Sequence, residues 1–333
     1  MHGLPDGYTM RPGTMTDIEG VANLANLYGR RITGSDLIDV RQLEAQIMTP
    51  GFSIEDDMRT IVDEAGKMAA VGMVVDVEEP HVQVTAWGIV DSEHQGIGLG
   101  SALYDWILGR SRQAIGKAPP DARVVLHQNT FEKDEAAAAF LASRGFEPSR
   151  HFWRMAIDLT GEIQTPVWPD GIAPTGVDIE TELEDTVRAT NEAFKDHYGH
   201  VERPLEEVVE RSRKRIEADP DYDPDLNFVA RDGGEIAGVC FCRPLSGTDR
   251  DTGYVGALAV LKPWRKKGLG MALLLEAFAR FRAKGKTAAH LHVDAQSITG
   301  ATRLYEKAGM HIDQLSHEQE LELRPGKDWR RVS

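Results

Sequence analysis

Two stretches of this chain carry the same spacing of strand-end, polar and glycine residues. The first is Val90-x-x-x-x-Gln95-x-x-Gly98-x-Gly100 and the second is Val260-x-x-x-x-Arg265-x-x-Gly268-x-Gly270. Each follows a β-branched or apolar run and opens an apolar stretch of helical character. A helix starting at such a glycine leaves its first N–H groups unpaired and turns the positive end of its macrodipole toward whatever lies in front. Glycine allows close approach of a ligand and a positive φ. In the second stretch Arg265, Lys266 and Lys267 add positive charge. The chemistry implied is the cradling of a pyrophosphate. The Gly-x-x-x-x-Gly-Lys-Ser/Thr pattern of a P-loop is absent, and the order Arg-x-x-Gly-x-Gly after a third or fourth strand does not match the dinucleotide fingerprint, which follows a first strand.

The elements that must hold these turns repeat as well. Thr60-Ile-Val to Ala70-Val-Gly and Phe228-Val-Ala to Gly238-Val-Cys each read as two strands joined by a glycine-containing turn. A helix precedes each hairpin, starting near Thr16 or Asp17 in the first half and covering about Leu183 to Phe194 in the second. Strand, helix and strand follow each glycine turn, with Arg123-Val-Val-Leu-His leading to Glu135–Arg144 and His290-Leu-His-Val leading to Thr302–Ala308. Val90 and Val260, Gln95 and Arg265, Gly98 and Gly268, Gly100 and Gly270 all align at one offset, so the chain reads as an internal duplication. Residues 161–176, with Pro166, Pro169 and Pro174, show no period and read as a linker. The expected division is residues 1–160, a linker over 161–176, and residues 177–333. The fold class is α/β of a mixed, α+β-like kind, each half a mixed twisted sheet flanked by helices.

Both glycine turns resemble the acetyl-coenzyme A loop of the GNAT family of N-acetyltransferases, and the resemblance covers nearly all of both halves. It implies two tandem domains of that fold, with acetyl-CoA or another acyl-CoA as co-substrate and no metal. In the second half it implies that Leu258, Ala259 and Val260 run along the pantetheine arm, while Arg265, Lys266, Lys267, Gly268, Leu269, Gly270 and Met271 surround the pyrophosphate. In the first half the matching cofactor residues are Ile89, Val90, Gln95, Gly96, Gly98, Gly100 and Ser101. The segment His292 to Met310 resembles the family's last helix, which places Tyr305 as the acid that protonates the departing thiolate. Ser297 stands where the family often has asparagine, and it joins the expected cofactor contacts.

Aligning Gly145-Phe with Gly309-Met sets Leu141 opposite Tyr305, so the first half keeps the phosphate turn without the proton donor. Catalysis is therefore expected in the C-terminal half, by direct attack of an amine in a ternary complex. A backbone N–H near Val260 or Leu261 would stabilise the oxyanion. Glu235, Asp251 and His197 are candidates for the general base, as is a water relay. His197, Tyr198 and His200 fall where acceptor loops lie. A non-catalytic acyl-CoA sensor is the alternative, and an oxidoreductase is a third reading that the fingerprint disfavours.

The composition agrees with a globular catalyst. The 333 residues suit two cores, with 41% hydrophobic and 27% charged residues. A net charge of -15 argues against nucleic acid or anionic membrane as a partner and tolerates a cationic amine, from a small molecule or a peptide. Cys240 and Cys242 read as core residues of a reducing compartment, and neither a signal peptide nor a membrane span is evident, so a cytoplasmic monomer or homodimer is expected. Trp87, Trp106, Trp153 and Trp168 read as packing residues. Arg213 and Glu217 read as an i,i+4 pair on a solvated helix.

Overall fold

The alternation of β-branched runs with amphipathic ones sets the element order, and the computed structural model describes residues 3–296 and 300–330. In chain order these are β1 (Thr9–Pro12), α1 (Ile18–Ile32), α2 (Val40–Ile47), α3 (Ile54–Asp57), β2 (Met58–Val62), β3 (Met68–Val75), β4 (Gln83–Val90), α4 (Leu99–Ser111), β5 (Val124–Phe131) and α5 (Glu135–Ala142). There follow β6 (Glu147–Asp158), β7 (Ile172–Gly176), α6 (Ile179–Phe194), α7 (Leu205–Ala218), β8 (Asn227–Asp232), β9 (Glu235–Arg243), β10 (Thr252–Val260), α8 (Leu269–Ala283), β11 (Ala288–Asp294), α9 (Ala301–Lys307) and β12 (His311–Arg324).

Two compact units result. The first holds the residues through Arg150 together with Ser316–Trp329, and the second holds His151–Leu315 together with Arg330. Strand order in the first is β1-β2-β3-β4-β5-β12, and in the second β6-β11-β10-β9-β8-β7. β4 with β5 and β10 with β11 are parallel pairs, while the hairpins on their other side are antiparallel.

In the first unit α1 begins where Asp17 accepts the Thr14 N–H at 2.9 Å and both terminal nitrogens of Arg11 at 2.7 Å. Its apolar stripe of Ile18, Val21, Ala22 and Leu24 packs on Val71 and Met73 of β3. Each such side chain taken from water contributes roughly 1.5–3 kcal/mol. In the second unit the sheet is covered on both faces. Ala189 and Ala193 of α6 meet Val229, Val239 and Ala259 on one face. Leu269, Leu273, Phe278 and Phe281 of α8 meet Phe228, Cys240 and Val255 on the other. Gly253 is required by this second contact, because a Cβ there would lie 2.4 Å from the Phe281 ring.

The structure divides the chain differently from the sequence expectation. Ile172–Gly176, expected within a linker, pairs with β8 from Ile172↔Asp232 to Gly176↔Phe228. Its Pro174 is tolerated because β7 is an edge strand. The stretch His151–Asp158 belongs to the second unit through pairing of β6 with β11, and Ser316–Arg324 belongs to the first through pairing of β12 with β5. The α7 helix that carries Arg213 and Glu217 has no buried residue, as a solvated face should, and the Arg213 guanidinium reaches Glu180 at 3.8 Å. Cys240 and Cys242 are buried and free. Among the described residues no helix is long and apolar enough to cross a membrane.

Candidate active site

In the second unit β10 and β11 pair in parallel from Thr252↔Ala288 to Val255↔Leu291, and there the pairing ends. β10 nevertheless runs on to Val260 and β11 to Asp294, so their C-terminal ends stand apart. A register shift between Val255 and Ala257 marks the divergence, and Gly256 sits at it. On its other edge β10 stays bound to β9. The Leu261 N–H donates to the Ala237 carbonyl at 3.0 Å, so by the alternation of an antiparallel ladder Ala259 also faces β9. The N–H groups of Leu258 and Val260 therefore face the opened edge. This removes Leu261 from the expected oxyanion donors, because its proton is already committed, and leaves Val260.

The glycine turn closes the wide end. Gly268, at φ 86°, is the N-cap of α8. The Met271 and Ala272 N–H groups donate back to the Gly268 carbonyl at 3.1 Å, whereas those of Lys267, Gly268, Leu269 and Gly270 have no acceptor among the described residues. Four donors are thus left without an acceptor among the described residues at the positive end of a helix. A Cβ on Gly270 would stand 3.0 Å from Leu304 of α9, so this glycine brings α8 and α9 close together. Lys266 adopts φ 62°, a left-handed conformation that its side chain disfavours. It and Lys267 have no ion pair among the described residues.

Arg265 does something other than expected. Its Nε donates to the Val260 carbonyl at 2.8 Å, its Nη2 to the Ala193 carbonyl at 3.0 Å, and Nη1 lies 3.7 Å from Asp196. The guanidinium ties the turn to the end of β10 and to α6, and its charge is shared with Asp196, which also holds Lys262 at 3.0 Å. The cations left for a ligand are Lys266 and Lys267.

Tyr305 lies on α9 and packs in the cluster that contains Leu258, Val260, Val293 and Cys240. The residue is 8% exposed. Its hydroxyl makes no hydrogen bond to the described residues and is not among the sealed polar atoms. Burial, with a smaller contribution from Cys240, pushes its pKa up to about 12, so the phenol keeps its proton throughout the physiological range. Met271 lies in the first turn of α8. Ser297 lies outside the described residues.

The proposed bases separate by position. Asp251 precedes β10, where its carbonyl accepts the Thr287 N–H at 2.8 Å. At about 3.3 Å per residue this puts it some 20 Å from Leu258. Glu235 lies at the β8–β9 turn, on the edge of β10 already occupied by β9. His197 is near the open end, following α6, and its pKa is lowered by burial and then by Arg265, with Asp196 and Asp294 opposing. Tyr198 and His200 continue the same turn.

The first unit repeats the arrangement with different chemistry. β4 and β5 pair from Gln83↔Val125 to Thr85↔His127 and then part, while Ile89 and Val90 run on at the end of β4 and Ser101 sits in the first turn of α4. β4 has no register shift against β3. Gly98, at φ 101°, caps α4, and Gly96 takes φ 79° where the second unit has Lys266. The Gln95 side-chain amide donates to the Val90 carbonyl at 3.4 Å, a weaker counterpart of Arg265 on Val260. The loop carries Asp91 and Glu93, both within reach of Lys67, at 3.8 and 3.2 Å. Arg144 donates to the Ser101 hydroxyl at 2.8 Å, and Leu141, which aligns with Tyr305, is buried. A cavity of about 380 Å³ opens beside Gln95, lined also by Arg31, Lys133 and Asp134.

This geometry can be set beside known proteins. The model of the Acetyltransferase (GNAT) family matches residues 189–310. A mycothiol acetyltransferase of Segniliparus rotundus is 30% identical over 67% of this chain and 79% of its own length. The chain belongs to the GNAT acetyltransferase family. It is an acetyl-CoA-dependent N-acetyltransferase. A mycothiol acetyltransferase of Catenulispora acidiphila is also 30% identical, over 70% of this chain and 69% of its own. The crystal structure of a GCN5-related N-acetyltransferase from Sphaerobacter thermophilus superposes with a TM-score of 0.83 at 27% identity, covering 98% of this chain and 99% of that one. A tandem GNAT protein from the clavulanic acid biosynthesis pathway shares the fold, with a TM-score of 0.74 at 13% identity, over 96% of this chain and all of that one.

GNAT enzymes use an acyl-CoA such as acetyl-CoA. Among the described residues no group of three His, Cys, Asp or Glu side chains is placed to hold a metal ion. Sequence reasoning missed the divergence at Gly256 and the engagement of Arg265. Gly256, a glycine inside a strand run, was the available signal for the first. Nothing in the sequence distinguishes a guanidinium that binds backbone from one that binds phosphate.

Proposed function

We propose that the second unit transfers the acetyl group of acetyl-CoA directly to the amine of a small, mycothiol-related molecule. The observation that carries this reading is the opened edge of β10, where the unengaged N–H groups of Leu258 and Val260 lie beside the capped start of α8. The pantetheine arm runs along Leu258, Ala259 and Val260. The pyrophosphate takes the N–H groups of Lys267 to Gly270, with Lys266 and Lys267 as counter-charges and Arg265 as a positioning residue. The thioester carbonyl accepts from the Val260 N–H, which stabilises the tetrahedral oxyanion. Tyr305 gives its proton to the leaving sulfur. The acceptor class is supported by the mycothiol acetyltransferases among the relatives.

The first unit, in this reading, binds CoA through Gln95, Gly96, Gly98, Gly100 and the start of α4, without turning it over. Its cavity beside Gln95, flanked by Arg31 and Lys133, supports ligand binding. Leu141 supports the lack of turnover.

The test is incubation of the protein with acetyl-CoA and either deacetylated mycothiol or a panel of other small amines. Acceptor gaining one acetyl group, detected by mass, is the expected result. Saturable acetyl-CoA binding without acetylation of any amine would instead favour a sensor.

A further inference from the structure

The duplication carries a matching feature besides its glycine turns. β5 contains Leu126-His127 and β11 contains Leu291-His292. In each unit this dipeptide lies where the parallel strands part. Thr85↔His127 is the last pair of the first unit, and Val255↔Leu291 is the last of the second, one residue before His292. Leu291 is packed in the core under α8, so His292 projects from the opposite face of the sheet.

The two histidines have opposite electrostatic neighbours. His127 is buried opposite Glu320, with Nδ1 3.0 Å from Glu318 and Nε2 3.2 Å from Glu320. Two carboxylates on two ring nitrogens hold the imidazole as a cation. His292 instead stands opposite Arg154 of β6, whose Nε is fixed by Asp313 at 2.7 Å. Its Nδ1 is 3.2 Å from the Tyr254 hydroxyl on β10. Its Nε2 has no partner among the described residues. With Nδ1–H donating to the Tyr254 oxygen, the Nε2 lone pair is left open. The other titratable and charged groups around this face are His290 and Asp294, two residues to either side on β11, Asp249 before β10, His311 and Asp313 at the start of β12, Arg243 of β9 beside Tyr254, and His197 near Asp294.

We propose that His292 accepts the proton of the attacking amine and that Tyr254 positions its ring for this. The proposal rests on assigning transfer to the second unit. Tyr305 packs on the α8 side of the parted strands and His292 projects from the other side, so a thioester held between them has an acid on one face and a base on the other. The amine lone pair forms the C–N bond and moves the carbonyl electron pair onto oxygen; collapse of this tetrahedral oxyanion restores the carbonyl and breaks the C–S bond, with its electron pair leaving on sulfur. Sulfur takes the Tyr305 proton and His292 Nε2 takes the nitrogen proton. Solvent then returns one to Tyr305 and removes the other from His292. Burial among protein atoms, then Arg154 and His290, lower the His292 pKa to about 4, although the ring remains reachable by solvent. It is therefore neutral at physiological pH. A weak base suffices, because the nitrogen becomes far more acidic than a free ammonium as its bond to carbon forms.

The experiment compares wild type, His292→Gln, Tyr254→Phe and His127→Gln with acetyl-CoA and the best amine acceptor of the panel. His292→Gln should lower kcat about 10²-fold or more, with acetyl-CoA affinity unchanged by calorimetry. Tyr254→Phe should lose about tenfold and shift the acidic limb of the pH profile, and His127→Gln should keep the wild-type kcat. Full activity and an unchanged pH profile in His292→Gln would overturn the proposal and leave the transferase reading standing. A wild type that acetylates no amine would overturn both. Should His292→Gln fail to fold, the titration of the histidine-labelled wild type by NMR decides. His292 should remain neutral well below pH 6.5 while His127 stays charged above it, and the same titration for both would refute the assignment.

Discussion

The Arg265 guanidinium donates to the carbonyl of Val260, five residues earlier, at 2.8 Å. This bond joins the opened edge of β10 to the glycine turn, the two parts proposed above to hold the thioester and the pyrophosphate in register. Gln95 and Val90 make the same connection in the first unit with a neutral amide at 3.4 Å. The position marked by Arg or Gln in the repeated pattern is thus a brace, and its backbone partner is the reason the spacing of five is kept.

Arg265→Ala should weaken acetyl-CoA binding about tenfold, in line with the roughly 1.5–3 kcal/mol of a charge-assisted hydrogen bond. Arg265→Gln, which copies the first unit, should recover most of that loss. Calorimetric titration of both variants checks the ordering. Equal binding by Arg265→Ala and wild type would refute the brace.

Gly98 and Gly268 both sit at positive φ with no protein atom within 4 Å of a built Cβ, so substitution acts through backbone conformation alone. Alanine costs about 1–2 kcal/mol at either position. If both units bind CoA, Gly98→Ala should lower the measured stoichiometry from two toward one and spare turnover, while Gly268→Ala should impair turnover. A wild-type stoichiometry of one would assign binding to the second unit alone.

Tyr305→Phe removes one oxygen from a ring that is otherwise packed. Turnover should fall about 10²- to 10⁴-fold with acetyl-CoA affinity retained, measured by steady-state kinetics beside calorimetry. An unchanged kcat would exclude Tyr305 as the acid.

The His127 cluster predicts a pH window for stability. Burial opposes the His127 charge but is outweighed by Glu318 and Glu320, so its pKa is raised above 6.5. That contribution is complete below pH 6.5 and is lost as pH rises through the raised value. Burial likewise opposes the Glu318 charge but is outweighed by His127, so its pKa falls below 4.5. Its contribution is complete above pH 4.5 and is lost on acidification through the lowered value. The melting temperature of wild type should exceed that of His127→Gln most between about pH 4.5 and 6.5, and the gap should narrow at higher pH.

The parts of this molecule legible in the sequence were those written as local patterns. The glycine turns, the hairpins before them and the order of elements all depend on residues close in the chain, and the pairing of Val90 with Val260 survives in the structure as the same place in each unit. What was hidden depends on partners far away in sequence. Nothing near Ile172–Gly176 announces a strand, because its ladder is supplied by β8 and its Pro174 is tolerated only at an edge. The lowered pKa of His292 comes first from its burial in the fold and then from Arg154, 138 residues earlier, and the charge of His127 comes from Glu318 and Glu320, 191 and 193 residues later. The proposed bases Glu235 and Asp251 were plausible by residue type, and the register of β9, β10 and β11 removes them from the opened edge.

The first unit includes Ser316–Trp329, with β12 laid along β5 from Ser316↔Phe131 onward. Synthesis runs from the N-terminus, so the strand that completes the earlier unit is made 185 residues after the end of β5. Until then β5 presents an unpaired edge with Leu126 and His127 awaiting partners, and that edge is open to misassociation with other strands. The early half therefore depends on the late half for completion. A fragment ending after β5 and α5 would leave the β5 edge without its β12 partner.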